Sequence, residues 1–183
     1  QNGAVLFVDL DQFKKIKETK GYDVGNLLLG EVALRLGAKV RTGDTVARIG
    51  SDEFIVVLET LGSHAKEAAA QAGWFAEEMQ IALSLPYQLQ GHTHHITPSI
   101  GIALFKGQQE TLDNLLKHAE VAMQQAKSSG RNAIRFHDKG MQAALEIRAE
   151  LENELRHALG KNQLQLYYQI QVDSLNRPQG AES

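Results

Sequence analysis

The 183-residue chain has no cysteine, which excludes disulfides and thiolate metal sites and fits a reducing compartment. No apolar run approaches the roughly 18 residues of a membrane span, and no signal peptide is visible. A cytoplasmic location is therefore expected, with no membrane contact by this stretch. There is no basic excess either: the net charge is −3 and the pI near 6.2. That balance gives no footprint for nucleic acid, so an anionic ligand must be met by local groups. Internal repeats and low-complexity tracts are also missing. What remains, 43% apolar and 22% charged residues, is an ordinary globular composition, long enough for one well-buried domain and part of a second. The start at Gln1, directly before a strand, suggests an excised piece whose parent could be membrane-anchored through upstream segments.

Ala4 to Asp9 is a continuous apolar run ending in an acid, as in a buried central strand. Asp23 is placed to cap a helix with Leu28, Leu29, Val32, Leu36 and Val40 at helical spacing. Thr45 to Ile49 and Phe54 to Leu58 form a hairpin. A second helix runs from Ser63 to about Leu83, where Leu85-Pro86 stops it. The strand within His95 to Phe105 carries Ser99, Gly101 and Ala103 on one face and Ile100, Ile102 and Leu104 on the other. Thr111 caps a third helix, with Leu112, Leu115, Leu116, Ala119, Met123 and Ala126 on its apolar stripe and Gly130 at its end. Ala133 to Phe136 is a short last strand. This order predicts an α+β fold with a central, mostly antiparallel sheet flanked by helices.

After Asp138 the pattern changes. Met141 to Leu159 is a charge-laced amphipathic helix that Gly160 ends, and Leu164 to Val172 begins a new strand. Three segments are expected: a domain over 1–138 with its N-terminal edge truncated, a linker helix over 139–160, and an incomplete second domain over 161–183. The linker helix also suits a coiled-coil contact between protomers.

The candidate chemistry lies in the carboxylates. Asp9 and Asp11 share a face if the first strand persists, and Asp52 and Glu53 sit side by side in the hairpin turn. Together they could share a hard cation such as Mg²⁺, which prefers oxygen ligands and keeps waters for phosphate. Lys127 and Arg131, four apart at the end of the third helix, could meet phosphate oxygens. On spacing alone, solvated charges explain these residues as well as a metal-phosphate site does.

The strings VDLDQFKKIKETKGYDVGNLLLGEVALRL, RTGDTVARIGSDEF, TPSIGIALF and AEVAMQQAKSSGRNAIRF, in that order, resemble the GGDEF family of diguanylate cyclases over nearly all of residues 3 to 137. LQLYYQIQVDSLNRPQGAES resembles the opening of an EAL phosphodiesterase domain, with Gln169 at a ligand-contacting position and Glu182 at the signature glutamate. The resemblance implies a palm-like nucleotidyl cyclase fold in which two GTP-loaded domains meet and each 3′-hydroxyl attacks the other nucleotide's α-phosphate to give cyclic di-GMP. It also implies Mg²⁺ or Mn²⁺ on Asp9, the Leu10 carbonyl and Asp52. Glu53 would assist the metal or remove a proton, and Lys14, Lys127 and Arg131 would neutralise the triphosphate. Arg41 and Asp44 match the RxxD pair of the family's inhibitory product site. The implied partners are GTP or a related nucleotide, cyclic di-GMP, a second copy of the chain and a downstream EAL domain.

The match has departures. Ser51 follows Gly50 where the family has a second glycine; if that position needs positive φ, a side chain costs about 1 to 2 kcal/mol and crowds the phosphates. Lys17 and Asn26 stand where the family has a guanine-binding asparagine and aspartate. An asparagine offers the guanine edge one acceptor and a competing donor, and each unpaired polar group there costs roughly 1 to 3 kcal/mol. Gln124 replaces a tyrosine, and Ile170 a proline of the EAL opening. The expected activity is therefore a weak or inactive cyclase that still binds nucleotide and regulates the phosphodiesterase. The alternatives are an active cyclase and a cyclic di-GMP-binding or dimerisation module. His92, His94 and His95 suit a polar hairpin arm better than a metal site, and Trp74 with Phe75 suits helix packing better than a stacking platform.

Overall fold

The computed structural model describes residues 2–107, 109–161, 163, 169–174 and 177–182. Two compact units divide the chain, 1–145 and 146–183.

The first unit opens with β1 (Asn2–Leu10), buried along its whole length. Next come α1 (Phe13–Lys20), α2 (Tyr22–Gly37), the hairpin β2 (Thr45–Arg48) and β3 (Glu53–Leu58), and α3 (Ala65–Ser84). A small hairpin, β4 (Tyr87–Leu89) and β5 (His92–His94), precedes β6 (Pro98–Lys106), α4 (Leu112–Ser128), β7 (Ile134–Phe136) and α5 (Lys139–Gly160). The main sheet has the order β2-β3-β1-β6-β7. Its pairs are antiparallel except β6 with β7, which is parallel. The expected mostly antiparallel sheet flanked by helices is thus the observed one.

Period-two alternation along β1 builds two cores. Ala4, Leu6 and Val8 join Val56, Ile100 and Ile102 under α2 and α3, with Leu28, Val32, Ala72 and Met79 from the helices. Val5 and Phe7 join Ile55 and Ala103 under α4, with Leu115, Ala119 and Met123. The α4 stripe sits so close to the sheet that a Cβ on Gly101 would strike the Ala119 carbonyl oxygen and the Met123 amide nitrogen. Thr111 caps α4 as expected, its hydroxyl accepting from the Asn114 N–H at 3.3 Å.

Two local expectations change, and a third holds. Helix α1 falls between the first strand and the predicted Asp23-capped helix; its sequence FKKIKETK buries only Phe13, so apolar periodicity does not announce it. Helix α2 begins at Tyr22 after Gly21, and Asp23 lies within its first turn instead of capping it. The β4–β5 hairpin accounts for the histidine cluster, with His94 buried and His92 and His95 exposed.

In the second unit, β8 (Gln169–Val172) pairs antiparallel with β9 (Pro178–Glu182), setting Gln169 opposite Glu182 in register. The predicted strand start at Leu164 to Tyr168 lies outside the described residues. No helix among the described residues is long and apolar enough to cross a membrane.

Candidate functional site

Asp9 is the next odd position after Val5 and Phe7, so the strand's alternation carries it to the α4 face of the sheet. Antiparallel pairing places Glu53 directly opposite it, and the Leu10 N–H donates to the Asp52 carbonyl at 3.1 Å. The two distant acidic stretches therefore meet. On α4 the spacing of Leu115, Ala119 and Met123 is four, and Lys127 is the next position in that row. Its Nζ lies 2.6 Å from Asp9 Oδ2.

Burial raises the Asp9 carboxyl above its ordinary range. Lys127 opposes that rise through its hydrogen bond and charge, while the nearby Asp52 and Glu53 charges add to it. Asp9 Oδ1 is buried without a hydrogen-bond partner. A buried, unpartnered carboxylate oxygen beside two further acids is a donor set that suits a hard cation. Among the described residues no three acidic or histidine side chains form a finished metal cage. Mg²⁺ does not require one, since it binds through one or two carboxylates and leaves other positions to water and phosphate.

The turn before β3 is held from several sides. Arg48 Nε donates to the Gly50 carbonyl at 2.9 Å and its Nη2 to the Ser51 carbonyl at 3.0 Å. The Ser51 hydroxyl donates to the Asp52 carboxylate. A Cβ on Gly50 would strike the Glu53 carboxylate. Positive φ occurs at neither Gly50 nor Ser51, so the strain expected at Ser51 under that condition does not arise. The only sequence signal for this role of Arg48 is an arginine two residues before a glycine turn.

Asp11 is not a free ligand. Strand β1 ends at Leu10, and the Asp11 carboxylate accepts from Thr97 Oγ1 at 2.7 Å, Ser99 Oγ at 2.8 Å and the Asn132 N–H at 3.0 Å.

The profile of the family described as "Diguanylate cyclase, GGDEF domain" matches residues 1–133. The chain belongs to the GGDEF family. It is 43% identical over 175 residues to the "Bifunctional diguanylate cyclase/cyclic di-GMP phosphodiesterase MucR" of Pseudomonas aeruginosa, covering 96% of this chain and 25% of that protein. It is 35% identical over 166 residues to the "Cyclic di-GMP phosphodiesterase NbdA" of the same organism, covering 91% and 20%. The crystal structure of the GGDEF domain of YfiN, also called TpbB, from P. aeruginosa superposes with a TM-score of 0.69 at 35% identity, covering 75% of this chain and 83% of that one. The chain thus spans a quarter or less of the length of these two curated relatives.

The remaining positions of this GGDEF domain divide into two groups. Lys17 lies where α1 packs on α2: its stem lies against Gly25, and its Nζ sits 4.9 Å from the centre of the Phe13 ring. Asn26 is exposed beside Gly25. Lys14 is exposed on α1 and lies 3.8 Å from Glu18. The Arg41–Asp44 turn has its own internal order. The Asp44 carboxylate accepts from the Arg41 N–H at 2.9 Å and the Glu59 N–H at 3.3 Å. The Arg41 guanidinium rests 4.7 Å from the centre of the buried Phe75 ring. Trp74 meets Phe75 edge-on at 5.1 Å within α3; Phe75 is in the core, whereas Trp74 is exposed.

Proposed function

We propose that this GGDEF domain, over 1–138, binds a guanine nucleotide with Mg²⁺, has weak or no cyclase activity, and serves cyclic di-GMP signalling by regulating a downstream EAL phosphodiesterase. The linker helix over 139–160 would carry that influence, and 161–183, with Gln169 and Glu182, would open the EAL domain. The observation that carries the reading is the pairing of Lys127 with buried Asp9 opposite Glu53. It supplies cation-binding oxygens and a phosphate-binding cation in one place.

Asp9, the Leu10 carbonyl and Asp52 would hold the ion, whose contribution is to withdraw charge from the phosphates. Lys127, drawn from Asp9 towards ligand, and Arg131 would neutralise phosphate oxygens, with Lys14 assisting. Glu53, held against Gly50 at the turn, is positioned to support the ion or accept a proton. Gly50 and Ser51 would form the floor under the phosphates. Base recognition is where the site is weak. Lys17 places a cation, and Asn26 an amide, where a guanine edge asks for acceptors. Arg41 and Asp44 would form the product-binding inhibitory site.

One observation favours the second reading, a competent cyclase: Ser51 carries no positive φ, so the altered signature strains nothing. Incubation of the purified protein with GTP and Mg²⁺ separates the two. The expected result is Mg²⁺-dependent GTP binding with little or no cyclic di-GMP. Robust cyclic di-GMP formation, lost in Asp52→Ala, would establish the competent cyclase instead.

A further inference from the structure

The turn that follows α4 is unusual in its backbone. Gly130, Arg131 and Asn132 all have positive φ, at 119°, 64° and 45°. Glycine adopts this conformation freely and asparagine tolerates it, but arginine has no such preference, so the turn needs outside restraint. Its N-terminal side is held by α4, through the Gly130 N–H to the Lys127 carbonyl at 3.4 Å and the Arg131 N–H to the Ala126 carbonyl at 3.2 Å. Its C-terminal side is tied to the sheet, where the Ala133 carbonyl accepts from the Ile100 N–H at 2.9 Å.

Between those anchors, Asn132 is gripped by two residues to which the proposed mechanism gives no role. Asp11 Oδ2 accepts from its N–H at 3.0 Å. Gln80 Nε2, from α3, donates to its carbonyl at 2.7 Å and to its side-chain oxygen at 3.1 Å. The Asp11 carboxylate is itself fixed by Thr97 and Ser99. Arg131 is exposed, and among the described residues its guanidinium has no ion-pair partner.

We infer that Asp11 and Gln80 are positioning residues: they clamp Asn132 at its N–H and its oxygens, and so hold the left-handed turn from which Arg131 reaches phosphate beside Lys127. This rests on the nucleotide reading above. It extends the site to α3, an element without other assigned chemistry, and explains why a buried acid two residues from Asp9 is not a metal ligand.

The test uses the full chain and magnesium triphosphate, a probe that lacks the base and reads the phosphate end alone. Calorimetric titration should show Gln80→Ala weakening binding about fivefold to tenfold, and Arg131→Ala at least as much. The double variant should bind no more weakly than Arg131→Ala, because residues acting through one contact are not additive. Gln80 is partly exposed, so this variant is expected to keep its melting temperature where Asp11→Asn could unfold. Amide exchange at Asn132 gives a ligand-free readout, and about tenfold faster exchange is expected in Gln80→Ala. Wild-type affinity with unchanged exchange in Gln80→Ala, or additive losses in the double variant, would overturn the inference alone. Failure of the wild-type protein to bind the probe would overturn the nucleotide reading and the inference with it.

Discussion

Asp9 combines two opposed demands. Its ion pair with Lys127 stabilises the charge, yet burial and the facing acids disfavour it, and the balance leaves the carboxyl raised. The folded chain therefore binds this proton more tightly than the unfolded chain does. That contribution to stability is complete below the ordinary aspartate value of 3.8 and is lost as pH rises through the folded value. Asp9→Asn has no charge to bury. It should melt at a higher temperature than the wild type at pH 7 and show a flatter stability profile above pH 3.8. Thermal unfolding followed by circular dichroism at several pH values checks this, and a lower melting temperature at pH 7 would mean that the ion pair outweighs burial. Such a gain from removing a proposed ligand is the usual trade between stability and a charged site. Tyr87 has a comparable desolvation, which pushes its hydroxyl to about 12. Its hydrogen bond to the Leu83 carbonyl at 2.8 Å and the Arg35 guanidinium 3.7 Å from its ring centre give it a structural role instead.

At the level of elements, the position of Lys127 depends on how closely α4 sits on the sheet. Gly101 sets that distance, since any Cβ there meets helix backbone, which cannot rotate away as a side chain can. Gly101→Ala should push α4 outward and cost about 3 kcal/mol of stability, measurable as a shifted urea midpoint with an unchanged m-value. Helix α3 has a comparable joining role. It carries Phe75 under Arg41, Glu78 with its Oε2 2.8 Å from Lys39 Nζ, and Gln80 against Asn132. From the sequence it reads as a plain packing helix, because its polar residues acquire partners only when α2 and the α4–β7 turn arrive beside it.

For the molecule as a whole, the start of α5 belongs to the first unit. Met141 and Leu145 pack against its core, and Gln142 Oε1 accepts from the Phe136 N–H at 2.8 Å. A chain cut after Leu145 should melt with the same first-unit transition as the full protein. One cut after Asp138 should melt about 5 °C lower, as two partly buried apolar residues and a hydrogen bond are lost; differential scanning calorimetry distinguishes the two. The proposed coupling to a following domain would run through this same helix. Periodicity made the faces that carry some site residues legible in advance, but not that their charges meet. Alternation along β1 puts Asp9 on the Val5–Phe7 face, and the four-residue row of α4 leads to Lys127. These are local geometries, set by the repeat of strand and helix. Other features depended on register between segments far apart in the chain. Only the assembled fold could set Glu53 opposite Asp9, give Asp11 its three donors, bring Gln80 to Asn132 and lay Arg41 on Phe75, because each depends on which distant atoms arrive alongside.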